Sequence, residues 1–200
     1  MKISSPTSVK FIESMNAHEP SRLISECIAG NQAAIERLVR QYETDVFKLA
    51  LSILGDEADA NEITQETFIA ALKSLRTYQE KKAFKAWLFT ITLNLSRSYL
   101  RKQKFIERLK ATVGVILRIE HQKPSTPEDE VIRTEKEAVI WNELNKLDDR
   151  HRIVAVLRYF HELPISEIAQ VLSVNEGTIH SRLHTVRERL RDALQHVHGE

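Results

Sequence analysis

The sequence predicts an all-α protein: two small helical domains joined by a linker, the C-terminal one carrying a helix-turn-helix. Three observations carry that expectation. Apolar residues recur at three- and four-residue spacing through most of the chain. Five Gly and five Pro in 200 residues are few for an all-β alternative rich in turns. The clearest break in periodicity, Lys123-Pro124-Ser125-Thr126-Pro127, places two prolines among small polar residues and divides the chain.

Residues 1–20 are mixed in character and read as a flexible arm. Ser21 to Ala29 forms a short helix closed by Gly30, which can adopt a left-handed terminating conformation. Asn31 caps a second helix, in which Ala34, Ile35, Leu38, Val39, Val46, Leu49, Ala50, Ile53 and Leu54 keep a helical period, with a break expected near Tyr42. Gly55 ends it and Asp56 caps the next. That helix, Asp56 to Leu75, packs with Ile63, Phe68, Ala71, Leu72 and Leu75. Asp59, Asn61, Glu62, Gln65 and Glu66 gather in its first half. A solvated face with acid at the positive end of the helix dipole explains them, and so does a specific protein contact.

Tyr78 to Ala83 is a polar loop leading into a helix from Ala83 to about Gln103. Phe84, Trp87, Phe89 and Tyr99 alternate there with Lys85, Arg97, Arg101, Lys102 and Lys104. Flat faces among cations are what single-stranded nucleic acid requires, although Phe84, Trp87, Ile91 and Leu95 also have core spacing. Asn94, polar and central, is expected to be exposed or fully hydrogen-bonded. Phe105 to Gln122 either extends this helix or packs separately. The domains are accordingly a 1–20 arm, a first domain over 21–104, a linker over 105–126 and a second domain over 127–200.

In the second domain Thr126 caps, Pro127 takes the first helical position, and the helix runs to about Leu147. Asp148 or Asp149 caps another, Arg150 to Phe160. From Pro164, Ile165, Ile168, Ala169 and Leu172 mark a short amphipathic helix, interrupted by Ser173-Val174-Asn175. Asn175 caps a further helix from Glu176, with Val174 stapling onto Ile179. Its Ile179, Leu183, Val186 and Leu190 share one face, while Gly177, Ser181, His184, Thr185 and Glu188 point away. Two short helices, a tight turn, small polar residues near the second N-terminus and flanking Arg182, Arg187, Arg189 and Arg191 make a helix-turn-helix suited to a major groove. An amphipathic hairpin with a solvated, arginine-bearing face would show the same spacing.

Composition limits the remaining classes. The net charge of +1 means that any nucleic-acid surface depends on local segregation of charge. One cysteine, Cys27, excludes an internal disulfide framework. No stretch approaches the roughly 18 apolar residues of a membrane span, so a soluble, cytoplasmic protein without membrane insertion is expected. No catalytic constellation or cofactor motif is found: His161-Glu162 lacks a second histidine, no glycine loop cradles phosphate, and no serine sits on a nucleophile elbow. His180 and His184 have the spacing of a metal pair, but no neighbouring cysteine or carboxylate completes a set, and no metal is assigned.

Three stretches, DEADANEITQETF from Asp56 to Phe68, FKAWLFTITLNLSRSYLRKQK from Phe84 to Lys104, and HRIVAVLRYFHELPISEIAQVLSVNEGTIHSRLHTVRERL from His151 to Leu190, match one family pattern in order. The chain resembles the bacterial sigma-70 family, specifically the small extracytoplasmic-function group that keeps regions 2 and 4, over about residues 21–104 and 127–194. The resemblance implies a non-enzymatic factor that binds core RNA polymerase, recognises promoter DNA and helps to open it. An anti-sigma factor is a further implied partner. It places Asp59, Glu62, Gln65 and Glu66 on the polymerase-binding helix. Asn94 would capture a flipped base of the minus-ten element, with Ser98 and Arg101 beside it. The loop from Tyr78 to Lys85 would shape the pocket, and Trp87 would support its wall. Glu176, Gly177, Thr178, His180, Ser181, Arg182, His184, Thr185 and Arg187 would meet the minus-thirty-five element. The sequence departs from common family residues at His180, Thr185 and Ser98, so its promoter cannot be copied from a relative. Leu147-Asp148-Asp149 likewise replaces a commoner leucine-proline.

A stand-alone helix-turn-helix repressor or activator would explain the C-terminal half but not the Glu62-Gln65-Glu66 face. A helical adaptor that never touches DNA would explain neither arginine-flanked helix.

Overall fold

Local signals set the helix ends. The computed structural model describes residues 21–79, 83–117, 143–144 and 146–197, and its first helix, α1, occupies residues 21–28. Asn31 Oδ1 accepts from the Ala34 N–H at 3.2 Å and starts α2 (Gln32–Leu54); Asp56 Oδ1 accepts from the Asp59 N–H at 2.9 Å and starts α3 (Glu57–Ser74). Each cap satisfies a donor that the first helical turn leaves without a partner. Gly30 and Gly55 follow α1 and α2 with φ of +83° and +72°, in the left-handed region that a Cβ disfavours. α2 runs unbroken through Tyr42. The gap between Val39 and Val46 is bridged because Tyr42 itself packs against the core.

A short 3-10 turn, Leu75–Thr77, follows α3, and α4 spans Phe84–Leu117. Ile24 and Cys27 of α1, Leu38 and Val46 of α2, Phe68 and Ala71 of α3, and Phe84 and Leu88 of α4 share one buried core. Desolvation in that core, followed by the neighbouring Glu26 carboxylate, raises the Cys27 thiol pKa. α4 continues well past Gln103, so Phe105 to Leu117 extend the helix and do not form a separate piece. The chain divides into two compact units between Leu95 and Ser96, inside α4. The N-terminal arm, residues 80–82 of the loop, the proline-bearing linker and most of the helix expected from Pro127 lie outside the described residues.

In the second unit Leu144 and Leu147 are buried together with Ala155 and Val186. Asp148, and not Asp149, is the cap of α5 (Asp149–Ala155): its Oδ1 accepts from the His151 N–H at 3.0 Å and lies 2.6 Å from His151 Nδ1. The α-helix expected to reach Phe160 instead widens into a π turn, Val156–Phe160. His161 N–H donates to the Val156 carbonyl at 3.2 Å and Leu163 N–H to that of Leu157 at 3.0 Å. Arg158 donates to the Leu163 carbonyl at 2.9 Å, closing the chain over Glu162, whose φ is +56°. The wider turn buries His161 and Leu163 and leaves Tyr159 and Phe160 about half exposed. α6 (Ile165–Leu172) and α7 (Glu176–Val197) follow, joined through Ser173 in the left-handed conformation, with the Val174 N–H bonded to the Ala169 carbonyl at 3.0 Å.

Candidate nucleic-acid and protein interfaces

α3 has two chemically distinct sides. Ala60, Ile63, Thr64, Thr67, Phe68 and Ala71 are buried, and the Thr64 and Thr67 hydroxyls donate to the Ala60 and Ile63 carbonyls at 2.7 Å. Those bonds let polar side chains enter the core without an orphaned hydroxyl. The opposite side presents Glu62, Gln65 and Glu66, all exposed, with Asp59 half-buried at the start. Asp59 also has a helix-start role, since its N–H is the one that Asp56 caps. Ile69 lies among these residues, 53% exposed. At 100° per residue it falls within about 20° of Glu62, near the middle of the acid-amide face. Sequence reasoning passed over Ile69; its signal was an apolar residue three and four positions after Glu66 and Gln65, out of register with Ile63 and Phe68. A single exposed isoleucine is ordinary; this one is set apart by its place near the centre of a polar face.

The start of α4 is an aromatic cluster. Tyr42, Tyr78 and Trp87 surround Phe84 with ring centroids 5.2 to 5.4 Å away, and Tyr78 lies 5.3 Å from Trp87. Burial, then the Asp45 carboxylate, raises the Tyr42 pKa. Tyr78 and Trp87 are therefore half-buried walls fixed by ring packing and not freely exposed stacking surfaces. Lys85 is likewise committed. Its Nζ lies 2.7 Å from Asp45 Oδ2 and 5.6 Å from the Phe89 ring centroid, so its charge meets a carboxylate and an aromatic face together. The pair ties α4 to α2.

Farther along α4, Asn94, Arg97, Ser98 and Arg101 are exposed, as are Lys102, Lys104 and Phe105, while Leu93 and Ser96 are buried. Asn94, Ser98 and Arg101 fall within about 60° on the helical wheel. Together they offer an amide, a hydroxyl and a guanidinium, able both to donate to and to accept from a base edge.

α7 shows the same separation. Ile179, Leu183 and Val186 are buried, whereas Glu176, Gly177, His180, Ser181, His184 and Arg187 are exposed. Asn175 Oδ1 accepts from both the N–H and the hydroxyl of Thr178 at 2.8 Å. Thr178 is thus engaged in capping, which accounts for its half-buried position. Arg182 and Thr185 are also half-buried, at the margin of the exposed face, and the Thr185 hydroxyl is 3.3 Å from the Ser181 carbonyl. Gly177 has no positive φ, so the backbone does not demand glycine there. Among the described residues no cluster of three His, Cys, Asp or Glu could hold a metal ion, and no helix is long and apolar enough to cross a membrane.

These surfaces lie within two regions that match known families. Residues 38–106 match the model described as Sigma-70 region 2, and residues 144–192 match Sigma-70, region 4. Over 177 residues the chain is 32% identical to the ECF RNA polymerase sigma factor SigW of Bacillus subtilis, covering 86% of this chain and 95% of that protein. It is 35% identical over 168 residues to the ECF RNA polymerase sigma factor SigE of Mycolicibacterium smegmatis, covering 82% of this chain and 64% of that one. The solved structure of CnrH in complex with the cytosolic domain of CnrY matches with a TM-score of 0.62 and 27% identity, covering 86% and 95% of the two chains.

Proposed function

The chain belongs to the sigma-70 family, in its extracytoplasmic-function group, and on that premise we propose how its surfaces divide the work of transcription initiation. As a sigma factor it acts with core RNA polymerase on promoter DNA. The observation that carries our reading is the coexistence of an exposed acid-amide face on α3 with an exposed polar recognition face on α7. A stand-alone repressor has use for the second alone, and an adaptor for neither in this form.

We assign Glu62, Gln65 and Glu66 to core polymerase, with Ile69 as their apolar centre and Asp59 at the edge. Asn94 takes the edge of an extruded minus-ten base, Ser98 and Arg101 hold the adjoining strand, and Tyr78 and Trp87 form a wall stiffened by Phe84 and Tyr42. Lys85 positions that wall through Asp45. On α7, His180, Ser181 and His184 read base edges of the minus-thirty-five element, while Arg182 and Arg187 neutralise phosphates. Glu176, Gly177 and Thr185 border the same surface, and Thr178 keeps its first turn closed. Opening then follows from binding. Extruding a base costs a few kcal/mol, and stacking plus amide contacts on the protein offset it. The chain supplies no chemistry of its own in this reading and works in the cytoplasm beside the polymerase. CnrH was solved bound to a second protein, and a restraining anti-sigma factor is the corresponding partner we assign here.

The test is reconstitution. Core polymerase alone and core with this chain are offered a randomised duplex library, and transcribed members are recovered. Transcription from a defined subset only when the chain is present is the expected result. Tight, specific duplex binding by the free chain, with no effect on core, would return the reading to a repressor.

A further inference from the structure

The first turns of α7, the part of a recognition helix that meets base edges, are short of positive charge. Residues 176–184 contain one carboxylate, Glu176, and one guanidinium, Arg182, so with neutral histidines this segment has no net charge. Arg182 is half-buried and lies about 160° around the helix from both His180 and His184. Exposed arginines begin only at Arg187. The face offered to a polyanion is therefore a carboxylate, small polar groups and two imidazoles.

His180 and His184 are both exposed and stand one turn apart, about 6 Å along the axis and about 40° around it. Among the described residues no hydrogen bond or ion pair engages either ring. The charged groups on their side of α7 are Glu176, one turn before His180, and Arg187, Glu188 and Arg191 beyond His184, with Glu188 held by Arg191 at 2.9 Å. The helices packed against α7 carry Asp149, Arg150, His151 and Arg152 on α5 and Glu167 on α6. Asp149 pairs with Arg152 at 2.8 Å and His151 with Asp148 at 2.6 Å, and none of these groups is joined to His180 or His184.

We propose that His180 and His184 read the minus-thirty-five element as imidazolium ions donating to guanine, so that promoter binding by this chain takes up protons. The inference rests on the sigma-factor reading and names the base and the charge state that its recognition helix uses. A neutral imidazole has one donor and one acceptor, whereas the charged ring has two donors and no acceptor. Guanine is the base that shows two acceptors, N7 and O6, in the major groove. Phosphates on either side favour the charged ring further. The charged form is thus the one preferred in the complex: the added affinity is present at low pH and is lost as pH rises through the range in which histidine gives up its proton.

The experiment uses holoenzyme and the strongest duplex promoter recovered from the randomised library. Affinity is measured from about pH 6 to about pH 8.5 for wild type, for His180→Gln with His184→Gln, and for His180→Lys with His184→Lys, all with the same core. If the complex favours the charged ring by about tenfold, wild-type affinity should fall across this range by about 5- to 10-fold per histidine, or about 25- to 100-fold in all, beyond any change shown by the glutamine variant. The lysine variant keeps its charge throughout and should bind at the high end of the range as wild type does at the low end. Library selection with wild type should enrich guanine within the minus-thirty-five element more strongly at the low end than at the high end. The glutamine variant should shift those positions toward adenine, which glutamine pairs with. Equal pH dependence in wild type and in either variant overturns the proposal, and so does a guanine preference that does not change with pH. If the library yields no promoter with wild-type holoenzyme at any pH, it is the sigma-factor reading that fails.

Discussion

Replacing Gly177 by Ala should raise stability and lower promoter affinity together, a combination that only an external contact explains. The new Cβ would lie 3.4 Å from Asn175 Oδ1, an ordinary van der Waals distance, and apart from its chain neighbours and the backbone of its own helix meets no other heavy atom within 4 Å among the described residues. With no positive φ to strain, alanine in place of helical glycine contributes about 0.5–1 kcal/mol by restricting the unfolded chain. For a chain of this size that corresponds to about 1–4 °C in Tm. In the complex, the added methyl enters the space where the start of α7 approaches the duplex. If that contact packs like a protein interior, overfilling it costs about 1–3 kcal/mol, or about 5- to 150-fold in affinity. Thermal unfolding followed by circular dichroism gives the first quantity, and titration of holoenzyme with duplex promoter gives the second. A lower Tm would show that the first turn of α7 is tighter than described. Unchanged promoter affinity would show that Gly177 faces solvent in the complex, refuting the assignment of this surface to DNA.

Two other perturbations test separate parts of the molecule. Ile69→Ser should weaken binding to core polymerase by about 4- to 12-fold while leaving the fold intact, since about half of an isoleucine side chain remains to be buried; Gln65→Ala with Glu66→Ala should act in the same direction, and wild-type affinity in both variants, measured by competition against a labelled wild-type chain, would remove α3 from the interface. The Asp148 carboxyl is held below its ordinary value of 3.8, first by the hydrogen bond from the His151 backbone and then by the His151 side chain. A depressed folded-state pKa means that its stabilising effect is present above about 3.8 and is lost as pH falls through the lower, folded value. The Tm advantage of wild type over Asp148→Asn should therefore shrink below pH 3.8, and a difference that stays constant down to pH 2 would contradict the assignment.

Much of the molecule depends on interactions within three or four residues, and these were legible directly. Asn31, Asp56 and Asn175 cap helices by bonding to the third residue ahead, and Gly30 and Gly55 adopt the left-handed conformation their type suggests, because neither event needs a distant partner. The division of α7 into a buried Ile179-Leu183-Val186 side and an exposed Gly177-His180-Ser181-His184 side follows equally from helical period and hydrophobicity. The family resemblance rested on these same local patterns.

Tertiary structure decided what helical period leaves open. Period alone could not tell whether Tyr78 and Trp87 were stacking surfaces or core; ring packing on Phe84 and Tyr42 makes them half-buried walls. Lys85 read as a cation for phosphate, yet its partner, Asp45, stands forty positions earlier and is brought near only when α2 and α4 pack. The π turn at Val156–Phe160 arises from the way the chain closes through Arg158 and Leu163, with no proline or glycine inside the turn to announce it. The exposure of Ile69 was marked in sequence only by its falling out of register with Ile63 and Phe68, and that of Phe105 not at all, because an apolar residue reveals its affinity for a nonpolar neighbour but not whether the fold provides one. Sequence specifies helices and the chemistry of their faces, and packing determines which of those faces remain for a partner.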